Sequence, residues 1–187
     1  IKVTVLAGGI GGARFIKGLR LIDGLDISVI VNNGDDVNIH GLRVCPDLDS
    51  IIYNLSGESD LQRGWGRKDE TWVVQENLTK YLGATEWFNI GDKDYATHIF
   101  RTEKLNEGMP LDEIVKAQCV VWGLKEKILP VTNEFVETYV HLESGTPIHF
   151  QEWWVKHRAS LPANGFELRG SDVAKPAPGV LEAINSA

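Results

Sequence analysis

Lys2-Val3-Thr4-Val5-Leu6-Ala7-Gly8-Gly9-Ile10-Gly11-Gly12 opens the chain with a β-rich apolar run that stops at four glycines in five residues. Phe15, Leu19 and Ile22 then recur at i, i+4 and i+7, the spacing of one helical face. A second apolar run, Ile27-Ser28-Val29-Ile30-Val31, ends in Asn32-Asn33-Gly34-Asp35-Asp36. Strand, helix and strand in this order form a βαβ unit, so the two strands should lie parallel. Neither run alternates cleanly, which predicts strands buried on both faces. The expected fold is therefore α/β: a Rossmann-like parallel sheet with helices on both faces.

Working outward, Leu48, Ile51, Ile52 and Leu55 mark a helix that starts near Pro46-Asp47 and stops at Gly57. A helix opening at Asp69-Glu70-Thr71-Trp72 should turn Val74, Leu78 and Tyr81 inward and end at Gly83. Ala96, Ile99 and Phe100 predict a third helix running toward Gly108, and Leu111, Ile114, Val115 and Val121 a fourth. These make a helical insertion over about 47–123. Ile128 to Val131 reads as a strand. Tyr139 to Leu142, a turn at Glu143-Ser144-Gly145-Thr146, and Ile148 to Phe150 read as a β-hairpin. No repeat or interdomain linker divides residues 1–187, so one α/β domain is expected.

Of the 187 residues, 43% are hydrophobic and 24% charged, a globular composition. The net charge of −7 provides no global basic field for nucleic acid. No apolar run approaches the roughly 18 residues that span a bilayer. Two cysteines, Cys45 and Cys119, set no disulfide framework and suit a reducing cytoplasm, the expected location.

The glycine turn follows a strand and precedes a helix, where exposed amides and the helix dipole favour a phosphate. A tight turn without a ligand would use the same glycines. The dinucleotide fingerprint fails, because Arg14 stands where its third glycine belongs and Asn32 replaces the ribose-holding acid. Asp35 and Asp36 follow the second strand, and Asp47 and Asp49 start a helix. Loops after parallel strands meet at the carboxyl edge, so Asp35 and Asp36 should face the glycine turn. If Asp47 and Asp49 join them, two carboxylates could hold Mg²⁺ against phosphate oxygens, although an acid at a helix start is also a common cap. Asp92 and Asp94 precede a helix containing His98 and have the same capping explanation. Trp65, in Arg63-Gly64-Trp65-Gly66-Arg67, sits in a cationic loop suited to stacking on a flat ring. No arrangement for covalent catalysis stands out, and the pattern is that of a metal-assisted phosphate or nucleotide site.

Gly8-Gly9-Ile10-Gly11-Gly12-Ala13, Asn33-Gly34-Asp35-Asp36, Pro46-Asp47-Leu48-Asp49, Gly91-Asp92-Lys93-Asp94-Tyr95-Ala96-Thr97-His98 and His149-Phe150-Gln151-Glu152 occur in one order. That succession resembles the 2-phospho-L-lactate transferases, the CofD-like enzymes of deazaflavin coenzyme F-420 biosynthesis, from Lys2 to about Ile184. Arg63-Gly64-Trp65-Gly66 and Gln151-Glu152-Trp153-Trp154 are most similar to the actinobacterial, phosphoenolpyruvate-type branch. The resemblance implies transfer of a phospholactyl or phosphoenolpyruvyl group from a guanosine diphosphate-linked donor to the terminal ribityl hydroxyl of the 5-deazaflavin Fo, releasing GMP. It further implies that Gly9, Gly11 and Gly12 cradle donor phosphates. Asp36 and Asp49 would hold Mg²⁺ and orient or deprotonate the acceptor hydroxyl, with Asp35 and Asp47 as near alternatives. Asn33 and His40 would contact the acceptor, and Asp92 and His98 would complete its side. A homodimer is implied as well. The family's later segment, rich in Ser, Asn and Pro, has no counterpart here, so the chain is expected to be incomplete at its C-terminal side. A second reading is a YvcK-like nucleotide-sugar-binding regulator of the same fold, in which Gly-Gly-Ser-Ser follows the paired acids. Here Val37-Asn38-Ile39-His40 follows them, favouring the transferase.

Overall fold

The parallel strands expected at the N-terminus are present in a computed structural model that describes residues 1–83 and 87–187. β1 (Lys2–Ala7) and β2 (Asp26–Val31) run parallel, with Lys2 opposite Asp26 and Ala7 opposite Val31. β2 also pairs in parallel with β5 (Lys127–Pro130), giving a sheet ordered β1-β2-β5. Helix α1 (Gly9–Leu19) connects the first two strands, and α2 (Pro46–Ser56) packs beside it. Pro46 occupies the first turn of α2, and Gly57 closes it at φ 78°, a left-handed conformation that glycine adopts without strain.

The core on one face of the sheet joins Val5, Ile27, Val29 and Val31 to Ala13 and Ile16 of α1 and Leu48, Ile51, Ile52 and Leu55 of α2. On the other face, Ile30 and Leu129 are covered by Ala177 and by Val180 and Ala183 of α6 (Val180–Ser186). Burial on both faces holds for β2. It does not hold for β1, whose Leu6 is 74% exposed although Thr4 Oγ1 donates to the Ala183 carbonyl of α6 at 2.7 Å.

The inward faces of several helices also differ from expectation. Phe15 and Ile22 are exposed, since α1 ends at Leu19 and turns Ala13 and Ile16 to the sheet. In α3 (Val73–Leu82), Val74 and Tyr81 are exposed and Gln75 is buried. In α4 (Asp92–Asn106), Ile99 is exposed while Tyr95, His98 and Arg101 are inside. The helix α5 (Leu111–Val121) buries Leu111, Ile114 and Val115 but exposes Val121. An apolar count selects the wrong face of α4 because its buried stripe is ionic. Residues 84–86 of the expected helical insertion lie outside the described residues.

The predicted hairpin is β6 (Glu137–Leu142) with β7 (Ile148–His149), Tyr139 opposite His149. Sequence reading missed β8 (Ala163–Arg169), which pairs with β6, and the small hairpin of β3 (Val37–Ile39) and β4 (Leu42–Val44). The β6 start also pairs with the loop after β2, through an Asp35–Glu137 bridge. Thr138 Oγ1 donates to the Gly34 carbonyl at 2.6 Å. A π-helical turn, Glu152–Lys156, follows β7.

Candidate functional site

Three chain segments meet at the carboxyl end of β1 and β2: the start of α1, residues 32–36, and the first turn of α2. The Gly9 amide donates to Asp47 Oδ1 at 2.6 Å. Asn32 Nδ2 donates to Asp47 Oδ2 at 3.0 Å and to Asp35 Oδ1 at 3.3 Å. From 116 residues away, Gln151 Nε2 donates to Asp35 Oδ2 at 2.8 Å. Burial raises the Asp35 carboxyl above the ordinary carboxylate range, and repulsion from Asp47 and Asp36 adds to the rise.

Asp35 and Asp47, with Ser50, Asn89 and Gln151, supply the polar lining of a cleft of about 480 Å³. Ile10, Trp65, Phe88, Phe150 and Trp154 line its apolar part. Phe150 and Trp154 lie with ring planes 12° apart and centroids at 6.2 Å, set by the π-helical turn that begins beside them. Trp65 enters from the loop between α2 and α3. That loop is not a free cationic segment. Asp60 accepts hydrogen bonds from the amides of Gln62 and Arg63 and from Arg63 Nε, while Arg67 lies over the Trp122 ring at 4.7 Å. Among the described residues, no lysine or arginine lines this cleft.

The glycines have separate duties. A Cβ on Gly9 would lie 2.8 Å from Asp47 Oδ1, and one on Gly8 3.0 Å from Asp47 Oδ2. Gly12 is required for packing, because its Cβ would meet Ala7 Cβ at 2.7 Å. Gly11 faces open space. Of the three expected phosphate glycines, Gly9 alone lines the cleft, and Asp47 takes its amide.

Asp36 and Asp49 were expected at a solvent-facing crevice; the structure buries both. Arg43 Nη2 and Nε donate to Asp36 Oδ2 at 2.6 and 3.0 Å, and the Cys45 thiol donates to the same oxygen. Burial pushes the Asp36 carboxyl up to about 6, less far than burial alone would, because the Arg43 charge and the Cys45 hydrogen bond lower it. Arg101 Nη2 pairs with Asp49 Oδ1, and Arg101 Nη1 donates to the Arg43 carbonyl at 3.1 Å. His98 lies in this buried network, its Nδ1 3.2 Å from Arg101 Nη1 and its Nε2 3.5 Å from Asp94 Oδ2. Because the guanidinium only donates, His98 Nδ1 accepts and Nε2 carries the proton.

The remaining candidates also lie away from the cleft lining. Asn33 is buried and donates to the Thr132 carbonyl. His40 sits at the exposed tip between β3 and β4, with φ 53°. Asp92 is a cap for α3: its oxygens accept from the amides of Val73 and Val74 and from Thr71 Oγ1. Sequence reading missed Asn32, Phe88, Phe150, Gln151 and Trp154 as site residues. The dense aromatic run around Gln151 was the available signal.

The donor set fits a hard cation. Asp35 and Asp47 supply carboxylate oxygens, and Gly8 and Gly9 leave room for the Asp47 carboxylate where side chains would displace it. Among the described residues, no group of three or more His, Cys, Asp or Glu is placed to hold a metal. Two carboxylates would thus leave several Mg²⁺ positions to water and substrate oxygens, as is usual at phosphate sites.

A parallel sheet with its cleft at the carboxyl edge, beside a glycine turn, defines an α/β domain of the ligand-binding, doubly wound class. The chain belongs to the family described as 2-phospho-L-lactate transferase CofD, whose model matches residues 3–187. It is 48% identical to a phosphoenolpyruvate transferase of Nocardia farcinica, over all of this chain and 58% of that protein. It is 49% identical to phosphoenolpyruvate transferases of Streptomyces griseus and Thermobifida fusca, over all of this chain and 60% and 62% of theirs. The chain thus spans about 60% of the length of these curated relatives. A crystal structure of a UPF0052 family member from Bacillus halodurans has the same fold, with TM-score 0.64 at 19% identity over all of this chain and 57% of that one. No described helix is long and apolar enough to cross a membrane.

Proposed function

We propose that this chain carries the acceptor cleft of a transferase of coenzyme F-420 biosynthesis. The transferase would move a phosphoenolpyruvyl or phospholactyl group from a guanosine diphosphate-linked donor to the terminal ribityl hydroxyl of Fo. The names of the similar actinobacterial proteins favour the phosphoenolpyruvyl group. One observation carries the assignment: the lining of a single cleft divides between the rings of Trp65, Phe88, Phe150 and Trp154 and the carboxyl groups of Asp35 and Asp47. A flat tricyclic ring with a polar tail matches that division.

In this reading the aromatic walls stack on the deazaflavin, exclude water and aim the ribityl chain at the carboxylates. Asp35 and Asp47 would hold Mg²⁺, with Gln151 and the Gly9 amide fixing one oxygen of each. Bound there, Mg²⁺ would supply charge neutralisation for the donor oxygens, since no lysine or arginine among the described residues lines the cleft. Asp35 orients the acceptor hydroxyl and takes its proton, as the carboxyl that lines the cleft and is fixed in place by the Gln151 amide. The hydroxyl oxygen forms the new bond to phosphorus as the bond to GMP breaks.

The test is incubation of the protein with Fo, MgCl₂ and each donor, followed by product mass. The expected product is Fo plus the transferred phosphoester group, dependent on Mg²⁺. Unchanged Fo with both donors, alongside tight binding of a UDP-sugar, would instead support the regulator reading.

A further inference from the structure

Asn32 stands in an unusual place. Its Nδ2 lies between the two carboxylates of the cleft, 3.0 Å from Asp47 Oδ2 and 3.3 Å from Asp35 Oδ1. The amide's orientation is fixed by a third bond: the Gly34 N–H donates to Asn32 Oδ1 at 3.0 Å. A backbone N–H can only donate, so the oxygen must take that side and the two N–H bonds must point at the acids. The amide thus supplies two polarised hydrogens, one to each of the two acids.

An octahedral Mg²⁺ takes oxygen ligands at about 2.0–2.1 Å. For one ion to bind both Asp35 Oδ1 and Asp47 Oδ2, each oxygen must draw in by about 1 Å toward the point the amide nitrogen now occupies. Ion and amide cannot share that point. Asn32 is on the solvent side and can leave, whereas Asp35 and Asp47 are anchored from behind by Gln151 and by the Gly9 amide.

We propose that the Asn32 amide is a placeholder for the cation: it holds the two carboxylates together in the metal-free protein and is displaced when Mg²⁺ binds. This rests on the assignment of Asp35 and Asp47 as the Mg²⁺ carboxylates. It adds a residue that sets affinity by competing with the ion rather than by ligating it. Because the amide bonds exist in the metal-free state alone, removing them weakens that state and leaves the loaded state untouched. Apparent affinity for the ion must then rise.

The experiment compares wild type with Asn32→Ala, and with Asn32→Ser should the alanine variant fail to fold. Mg²⁺ binding is read by calorimetry, Mn²⁺ binding by electron paramagnetic resonance, and thermal midpoints are taken in EDTA and at saturating MgCl₂. The variant is expected to bind both ions three- to tenfold more tightly. Its midpoint should fall below wild type in EDTA and meet it in MgCl₂. Weaker binding by the variant would make Asn32 a ligand and overturn the proposal. So would a midpoint deficit equal in both media, the mark of a purely structural residue. If wild type binds neither ion, the carboxylate assignment falls too. If wild type binds and the variant binds no better, the placeholder alone falls.

Discussion

Arg101 of α4 buries its guanidinium completely against Asp49 of α2. The same guanidinium reaches the Arg43 carbonyl, and Arg43 pairs with Asp36. Two buried ion pairs therefore tie α4, β4, the loop after β2 and α2 into one frame. Asp35 and Asp47, the cleft carboxylates, stand next to and two residues from the buried acids of that frame.

Arg101→Met should cost about 3–5 kcal/mol of stability, because it leaves Asp49 buried without its partner. Urea unfolding measures it. Arg101→Met combined with Asp49→Leu should recover much of the loss, since no uncompensated charge then remains. A single variant as stable as wild type would show that Asp49 finds another partner.

The acids divide into two classes. Asp35→Asn and Asp47→Asn should abolish group transfer while the protein still unfolds cooperatively, since both line the cleft. Asp36→Ala and Asp49→Ala should instead lower stability by about 3–5 kcal/mol, each stranding a buried arginine. Activity and urea midpoints, measured on the same four preparations, separate the classes.

Stability should fall as pH rises from 6 to 8 in the metal-free protein. Asp35 and Asp36 have folded values above the ordinary 3.8, at about 8 and about 6. A raised value means the folded state binds the proton more tightly, so that stabilisation is full below 3.8 and lost as pH climbs through the folded value. The slope cannot exceed about 1.4 kcal/mol per pH unit for each group. His149, whose value burial lowers, acts in the opposite direction near pH 6.5. Thermal midpoints of wild type and Asp35→Asn isolate the effect of Asp35: the variant should show a flatter decline between pH 6 and 8.

Alanine at the three glycines should give three results. Gly12→Ala should cost about 1–3 kcal/mol by driving α1 off Ala7 of β1. Gly9→Ala should displace the Asp47 carboxylate and lower Mg²⁺ affinity and transfer more than it lowers stability. Gly11→Ala meets nothing and should leave stability unchanged or raise it by up to about 1 kcal/mol.

Trp65→Ala and Trp154→Ala should each weaken Fo binding about tenfold, equivalent to about 1.4 kcal/mol, a typical stacking contribution. Both rings are about half exposed, so thermal midpoints should move little. Titration followed by deazaflavin fluorescence gives the dissociation constants.

Much of this architecture is legible in the amino-acid order because its causes are local. The β-rich run from Lys2, the glycine turn and the run ending at Val31 dictate a parallel pair. Pro46 and Gly57 bound α2 at the positions found. The meeting of Gly9 and Asp35 follows from parallel topology, since loops after such strands share one edge, whereas Asp47, which opens α2 after the β3–β4 hairpin, reaches Gly9 through tertiary packing. The cleft's aromatic wall was not legible as a unit. Trp65, Phe88, Phe150 and Trp154 come from three separate stretches of chain, and only packing brings them together.

The sequence by itself determined that Asp35 and Asp36 follow β2 at the sheet's carboxyl edge and that Asp47 and Asp49 open a helix. Tertiary structure decided which of them face the cleft. Adjacent residues in extended chain point to opposite sides, so Asp35 and Asp36 cannot both enter it. Two residues along a helix turn through about 200°, which separates Asp47 from Asp49 in the same way. Either member of each pair satisfies the local pattern. The choice is made by Arg43, from the neighbouring hairpin, and by Arg101, from a helix more than fifty residues away, which draw Asp36 and Asp49 inward. Asp35 and Asp47 are left at the cleft.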